Sequence, residues 1–302
     1  MKVLALAVAS GTLALAGSTA TPRLAGCPVF PASNPWNQRV DRLPVAASSR
    51  AIVDSIGADT DLHPDFGSGL WDGAPIGMPV TVVRRGIPRS RLSFDYADES
   101  DRGPYPIPPN VRIEGGGDRH ALIVDASTCM LYELYALQRA GGGWHAGSGA
   151  IWSLRSNRLR PAGWTSADAA GLPILPGLVR WNEVAAGHID HALRFTVERT
   201  RRAYVWPARH YASDLADANL PPMGLRLRLP ADYPIAGFPR QARIVLAALK
   251  RYGMIVADNG TSWYISGEPN ASWSNDDLHT LGRVPGSAFE VVDAGSLRAR
   301  AR

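Results

Sequence analysis

The sequence predicts a mainly β protein, an antiparallel β-sandwich or jelly-roll-like fold with one long helix at about 240–252 and a few short helices. Many short stretches alternate apolar and polar residues with period two, which is the signature of half-buried strands. The connections between them are rich in turn formers, with 30 Gly and 24 Pro in 302 residues. A single stretch of more than two turns carries helical spacing, Ile244, Val245, Ala248, Leu249 and Tyr252, with Pro239 near its start and Gly253 past its end.

Taken in order, residues 1–20 open on Lys2, run apolar from Val3 to Ala16 and close on Ser18-Thr19-Ala20. This is the pattern of a secretory signal peptide. The apolar run is too short to span a membrane, and no later segment offers about 20 consecutive apolar residues. Residues 21–302 read as a single β-rich domain that starts with an extended strap (about 27–45), where Cys27-Pro28-Val29-Phe30-Pro31 and Asn34-Pro35-Trp36-Asn37 disfavour regular structure. A short amphipathic helix is expected over Ser49–Ile56, stopped by Gly57.

Alternation then predicts strands at Met78–Arg84, Arg91–Tyr96, Val111–Glu114, His120–Ala126 and Met130–Leu137, with Ala126-Ser127-Thr128 as the turn between the last two. It continues through Trp144–Leu154, His191–Val197, Ala203–Trp206, Gly224–Leu229, Met254–Asp258, Ser262–Ser266 and Phe289–Val292. A further short helix is expected over Asp276–Leu281, capped by Asn275 and stopped by Gly282.

Charge narrows the function classes. The net charge is +5, and the basic residues are almost all Arg, with Lys2 and Lys250 the two lysines. These arginines are scattered among acids instead of forming a stripe, so the electrostatic footprint of a nucleic-acid binder is missing. The two cysteines, Cys27 and Cys129, are expected to pair in an exported chain. Closing a loop of about 100 residues contributes on the order of 4 to 5 kcal/mol in the chain-entropy model. Leu24-Ala25-Gly26-Cys27 also matches a lipobox, so lipid anchoring at Cys27 is the competing expectation, although Pro22 and Arg23 separate it from the apolar run.

Cys27-Pro-Val-Phe-Pro, Leu62-His-Pro-Asp-Phe-Gly, Asp95-Tyr-Ala-Asp-Glu-Ser-Asp, Arg160-Pro-Ala-Gly-Trp-Thr-Ser-Ala-Asp168, Gly187-His-Ile-Asp-His-Ala-Leu193 and Tyr252-Gly-Met-Ile-Val-Ala-Asp-Asn259 together resemble a group of secreted proteins of soil bacteria. The resemblance covers essentially the whole chain after the leader. It implies export and one integrated domain, and it implies no activity.

Candidate chemistry rests on the residues themselves. Gly187-His188-Ile189-Asp190-His191 gathers two imidazoles and a carboxylate, and alternation puts His191 on the face of Leu193, Phe195 and Val197 with Asp190 pointing the other way. His120 heads another strand on the face of Leu122 and Val124, next to Arg119 on the opposite face. Glu133 shares a face with Leu131 and Tyr135, where desolvation raises a carboxyl pKa and suits a general acid; an ion pair with an arginine is the plainer alternative. His191, His120, Glu133 and Asp190 are therefore the catalytic candidates. A buried histidine satisfied by backbone is the competing role for the imidazoles.

The long loop from Trp164 through Asp168 and Pro176 to Trp181 and Glu183 places two carboxylates between two indoles. With Tyr204 and Trp206 it offers a platform on which a sugar can stack, and Arg119 adds a polar contact; ordinary core and capping roles are the alternative. The acidic stretches Asp59–Asp65 and Asp95–Asp101 offer oxygen ligands to a structural Ca²⁺, but neither has EF-hand spacing, and solvated turns are the default. No catalytic metal or other cofactor is expected.

The sequence thus points to a secreted, monomeric protein whose partner is an extracellular polysaccharide or cell-envelope glycan, with no nucleic acid involved. Two carboxylates about a glycosidic bond serve a hydrolase, whereas a His or Tyr base with a neutralising Arg serves a lyase. A non-catalytic glycan-binding or envelope module is the reading from a different class. Carboxylates converging in a cleft favour hydrolysis; Arg, His and Tyr converging there favour elimination on acidic glycans.

Overall fold

The computed structural model describes residues 21–301; the expected signal peptide, residues 1–20, lies outside them. Strands dominate, arranged in several sheets with few short helices, and among the described residues no sheet closes into a barrel.

A four-stranded sheet has the order Ser148–Ser153, Met130–Tyr135, Ala121–Asp125, Val80–Val83. Its first three strands are antiparallel, joined in part by the expected turn at Ala126–Thr128, while Val80–Val83 runs parallel to Ala121–Asp125. A six-stranded sheet has the order Glu290–Val291, Arg226–Arg228, Met254–Asn259, Leu193–Val197, Tyr264–Ser266, His63–Asp65. Within it Leu193–Val197 is parallel to Met254–Asn259, and Tyr264–Ser266 is parallel to His63–Asp65. Wholly antiparallel pairing is thereby corrected to mixed sheets. Alternation along a strand reports which face is buried and carries no information about the direction of its neighbour.

The expectation of one long helix is not borne out: a helix does form there, Arg240–Arg251, but it has only 12 residues. It lies on the route between the parallel strands Leu193–Val197 and Met254–Asn259, and Val245, Leu246 and Leu249 bury one face in the same apolar cluster as Leu193, Phe195 and Val256. Gly253, at φ +66°, turns the chain out of it into the next strand, and a Cβ there would strike the carbonyl of Leu227. Ser49–Ile56 is helical as expected, burying Ile52, Val53 and Ile56.

Other local expectations need adjustment. Asn275–His279 is capped by Ser274, whose hydroxyl accepts from Asp277 N–H; Asn275 instead accepts from Ser68 N–H, and the helix runs on past Gly282 as a tight turn over Thr280–Arg283. Val111–Glu114 forms no strand, and Ala203–Trp206 contributes one bridge, Tyr204 to Met223. His63–Asp65 and the helix Trp181–Ala186 arise where no element was expected.

The N-terminal strap fastens the parts together. Cys27 is disulfide-bonded to Cys129 at the end of the Ala126–Thr128 turn, with a Cα–Cα distance of 5.5 Å. In this pairing the Cys27 sulfur is bonded to Cys129, as the disulfide expectation has it, and is not free for a thioether. Trp36 is buried against the six-stranded sheet and accepts Ala192 N–H through its carbonyl. Gly177 lets chain segments approach closely there, since a Cβ would sit 2.7 Å from the Trp36 ring and 2.8 Å from Arg194.

Candidate functional site

Between the two main sheets the chain gathers an ionisable cluster. From the four-stranded side come His120, at the entry to Ala121–Asp125, and Glu133; from the six-stranded side come Arg194 and Asp258; the loop after Trp164 adds Asp168. Asp168 is fully buried and binds Arg194 bidentately, at 3.0 Å to Nε and 2.7 Å to Nη2. The Arg194 Nη1 donates to Ser266 Oγ, which locks the guanidinium in place.

Asp258 completes the pair through a break in register. Val256 lies opposite Phe195, but Asp258 lies opposite Thr196, so one extra residue is inserted between them. A bulge of this kind turns Asp258 onto the face of Arg194 and away from that of Met254 and Val256. Its carboxyl hydrogen-bonds Asp168, while Arg194 stays 3.9 Å away. Burial raises its pKa well above the carboxylate range and the Asp168 charge raises it further, with Arg194 and His120 opposing. Burial thus favours the protonated form of Asp258, which keeps 26% of its side chain exposed.

That exposed edge lines a cavity of about 380 Å³ whose walls include Tyr96, Glu99, Asp118, Tyr135 and His210. Glu99 is positioned by the tight turn Ala97–Glu99 and accepts Thr165 N–H at 2.8 Å, with His210 Nε2 at 3.9 Å. Asp118 also lines a second groove of about 640 Å³, together with His63, Asp65, Glu114 and Trp71. The two spaces thus meet at one residue. Trp71, on the hairpin Leu70–Pro75, is 79% exposed at the groove wall. Among the described residues no Arg or Lys lines either space, although the chain as a whole is basic.

His120 bridges the two spaces from behind. Its Nδ1 is 2.5 Å from Glu114, and its Nε2 is 3.0 Å from the carbonyl of Ala167 in the cavity wall. Burial opposes the imidazolium, but the hydrogen bond and charge of Glu114 outweigh it and raise the His120 pKa to about 9. Glu133 has no arginine partner; both its oxygens accept Ile174 N–H and one accepts Leu175 N–H, which caps the tight turn Leu175–Gly177. Burial raises its pKa to about 7 against those two donors.

The remaining sequence candidates lie apart. His191 is buried with Nδ1 on the Ala192 carbonyl and Nε2 on Glu183, which also binds Arg180. Asp190 pairs with His188 at 2.9 Å. Arg119 Nε donates to the Leu137 carbonyl. The four rings of the expected platform have separate partners: Trp164 lies under Arg160, Trp181 meets Trp273 edge-on, Tyr204 stacks on Tyr211, and Trp206 lines a different cavity. Of the sequence candidates, His120, Glu133 and Asp168 come together. Asp258, Arg194 and Glu99 were missed as site residues, although Glu99 falls in a stretch singled out for its acidity. Asp101 of that stretch binds Arg160, and among the described residues no group of three or more His, Cys, Asp or Glu is gathered as for a metal ion.

Comparison with protein-family models, curated proteins and solved structures finds no match for the chain. What the site can do therefore follows from its own chemistry. It offers a carboxyl biased towards its protonated form, Asp258, and a second carboxylate, Glu99, in one concave space of the size that small ligands or a sugar residue occupy.

Proposed function

We propose that the protein is an exported polysaccharide hydrolase whose general acid is Asp258. The observation that supports this most is the Asp168–Arg194–Asp258 arrangement, in which Asp168 takes both arms of Arg194 and Asp258 is left 3.9 Å from it. Arg194 neutralises Asp168, and burial beside that carboxylate favours a proton on Asp258, the more exposed of the two at the cavity. Asp258 delivers that proton to the glycosidic oxygen as the bond breaks. Glu99, across the same cavity, takes a proton from the incoming water, whose oxygen bonds to the anomeric carbon. Tyr96 and Tyr135 offer ring faces for the sugar, and the adjoining groove with Trp71 accommodates further residues of a chain. The absence of Arg and Lys from both linings favours neutral or amino-bearing glycans over uronates, and hydrolysis over elimination.

Release of reducing ends, measured with absorbance at 235 nm across neutral, amino-bearing and uronate polysaccharides, tests this. Asp258→Asn, folded by circular dichroism, is expected to lose about 10²- to 10⁴-fold in rate. New 235 nm absorbance from a uronate polymer would replace hydrolysis with elimination. A second reading, a glycan-binding module, is favoured by the exposed Trp71. Retention on a polysaccharide without product, abolished by Trp71→Ala, would establish it.

A further inference from the structure

Five arginines are buried: Arg160, Arg180, Arg194, Arg226 and Arg228. Four of them bind a carboxylate, respectively Asp101, Glu183, Asp168 and Glu290. Arg226, 3% exposed, is the exception; among the described residues no carboxylate lies within 4 Å of it. It donates instead to the carbonyls of Pro35, Gln38 and Tyr252. Carbonyl dipoles satisfy most of its hydrogens, with one Nη1 hydrogen left over, but bring no opposing charge, and a buried cation without one is costly. Burial accordingly lowers its pKa to about 9, with nothing acting to raise it.

Arg226 lines a cavity of about 640 Å³ that shares no lining residue with the acidic cavity and groove. Two further arginines, Arg201 and Arg298, line it too. Arg201 Nη1 donates to the Ala218 carbonyl, while its Nε is buried with no hydrogen-bond partner among the described residues. The one acid in the lining, Asp293, already accepts Gly295 N–H at 3.0 Å. The rest of the wall is largely apolar and includes Ile52, Val205, Trp206 and Leu225, with Val205 partly exposed. Three cations, one anion, an orphaned donor and an apolar wall in one concave space are complementary to an anion with an apolar body.

We infer that this cavity is a binding site for an organic monocarboxylate with an aliphatic or aromatic body, its carboxylate held by Arg226 and Arg201 and its body against Trp206 and Leu225. The site is independent of the proposed hydrolytic cleft. Octanoate is the probe and 1-octanol its uncharged counterpart, each titrated calorimetrically into the purified full chain at low salt.

Octanoate is expected to bind saturably at one site per chain, with 1-octanol at least tenfold weaker. Arg201→Gln is expected to weaken octanoate at least tenfold, and Val205→Trp, which fills the cavity wall, to abolish binding. Arg201 and Val205 are both partly accessible, so these variants spare the buried Arg226, whose loss would free the strap carbonyls. No binding of octanoate at 1 mM, equal binding of 1-octanol, or unchanged affinity in Arg201→Gln would each overturn the assignment. Unchanged polysaccharide hydrolysis in Arg201→Gln is expected, so failure of this site and failure of the cleft are read out separately.

Discussion

Two buried histidines, each paired with a glutamate, sit in the same interior and differ in what lies next to them. His191 and Glu183 are closed off with Arg180: both ring nitrogens are used, the carboxylate is shared between Arg180 and the His191 ring, and among the described residues the group has no edge on either acidic space. His120 and Glu114 are almost as buried, yet Glu114 lines the groove and the carbonyl held by His120 belongs to the cavity wall. Burial of a titratable pair is thus common to both; access to a concave space is peculiar to one. That access separates a positioning role near the chemistry from a purely structural one.

The largest effect should come from opening the closed triad. Glu183→Ala leaves Arg180 and His191 buried without their anion, and breaking such a group costs about 3–5 kcal/mol. Urea denaturation is expected to show that loss while activity per folded molecule is retained. A loss under about 1 kcal/mol would remove the contrast, because the triad would then not be the sealed ion group its geometry describes.

Next in size is the response to pH. The His120 pKa is raised from 6.5 to about 9, so the stability it contributes is complete below pH 6.5 and disappears as the pH rises through 9. Glu133, raised from 4.5 to about 7, acts in the same sense, with stability lost as it ionises between those values. Each contributes on the order of 3 kcal/mol. Glu114 and Glu183 are lowered despite burial, by His120 and by Arg180 with His191, and oppose only at acid pH, below the ordinary glutamate range. Maximum stability is therefore expected near pH 4.5, with the urea midpoint falling from there towards pH 9. Glu133→Gln should flatten the profile between pH 5 and 7; an unchanged profile would show that Glu133 is not the group titrating there.

A finer contrast uses the cleft itself. His120 is one of the charges that lowers the Asp258 pKa, so His120→Gln should shift the alkaline limb of the activity profile upward by a fraction of a pH unit. His191→Gln should leave that limb in place. Equal shifts in both variants would mean the two histidines act on stability alone.

The parts of this arrangement that were legible in the sequence are local ones. The helix Ser49–Ile56, the core of the helix at Arg240–Arg251, the turn after Asp125 and the disulfide follow from spacing, capping and cysteine count. Burial of His120, Glu133 and His191 followed from alternation with apolar neighbours. Arg194 did not, because alternation sets it opposite Leu193 and Phe195, on what a two-layer protein would expose. Leu193–Val197 is central in a sheet covered on both sides, by the helix on one and by the strap and the Asp168 loop on the other, so that face is interior as well. Asp258 was hidden for a second reason. Its position depends on a bulge against Leu193–Val197, and a one-residue register shift between strands distant in sequence leaves no periodic trace.

The smallest expected effect belongs to a third histidine–carboxylate pair, which supplies the baseline for the other two. His188 and Asp190 meet at 2.9 Å, as close as His191 and Glu183, but the His188 side chain is 55% exposed. Water competes for both partners there, and salt screens what attraction remains, so a double-mutant cycle with His188→Ala and Asp190→Ala should give a coupling of about 0–1 kcal/mol, reduced further at high salt. Asp190 also lies near the Tyr252 hydroxyl, at 3.5 Å, and burial with the Asp190 charge raises the Tyr252 pKa to about 12. Asp190→Ala should therefore lower the Tyr252 titration seen by ultraviolet absorbance without altering hydrolysis. A coupling as large as that of the sealed triad, or a loss of activity in folded Asp190→Ala, would break the ordering by burial and access, and would return Asp190 to the set of catalytic candidates.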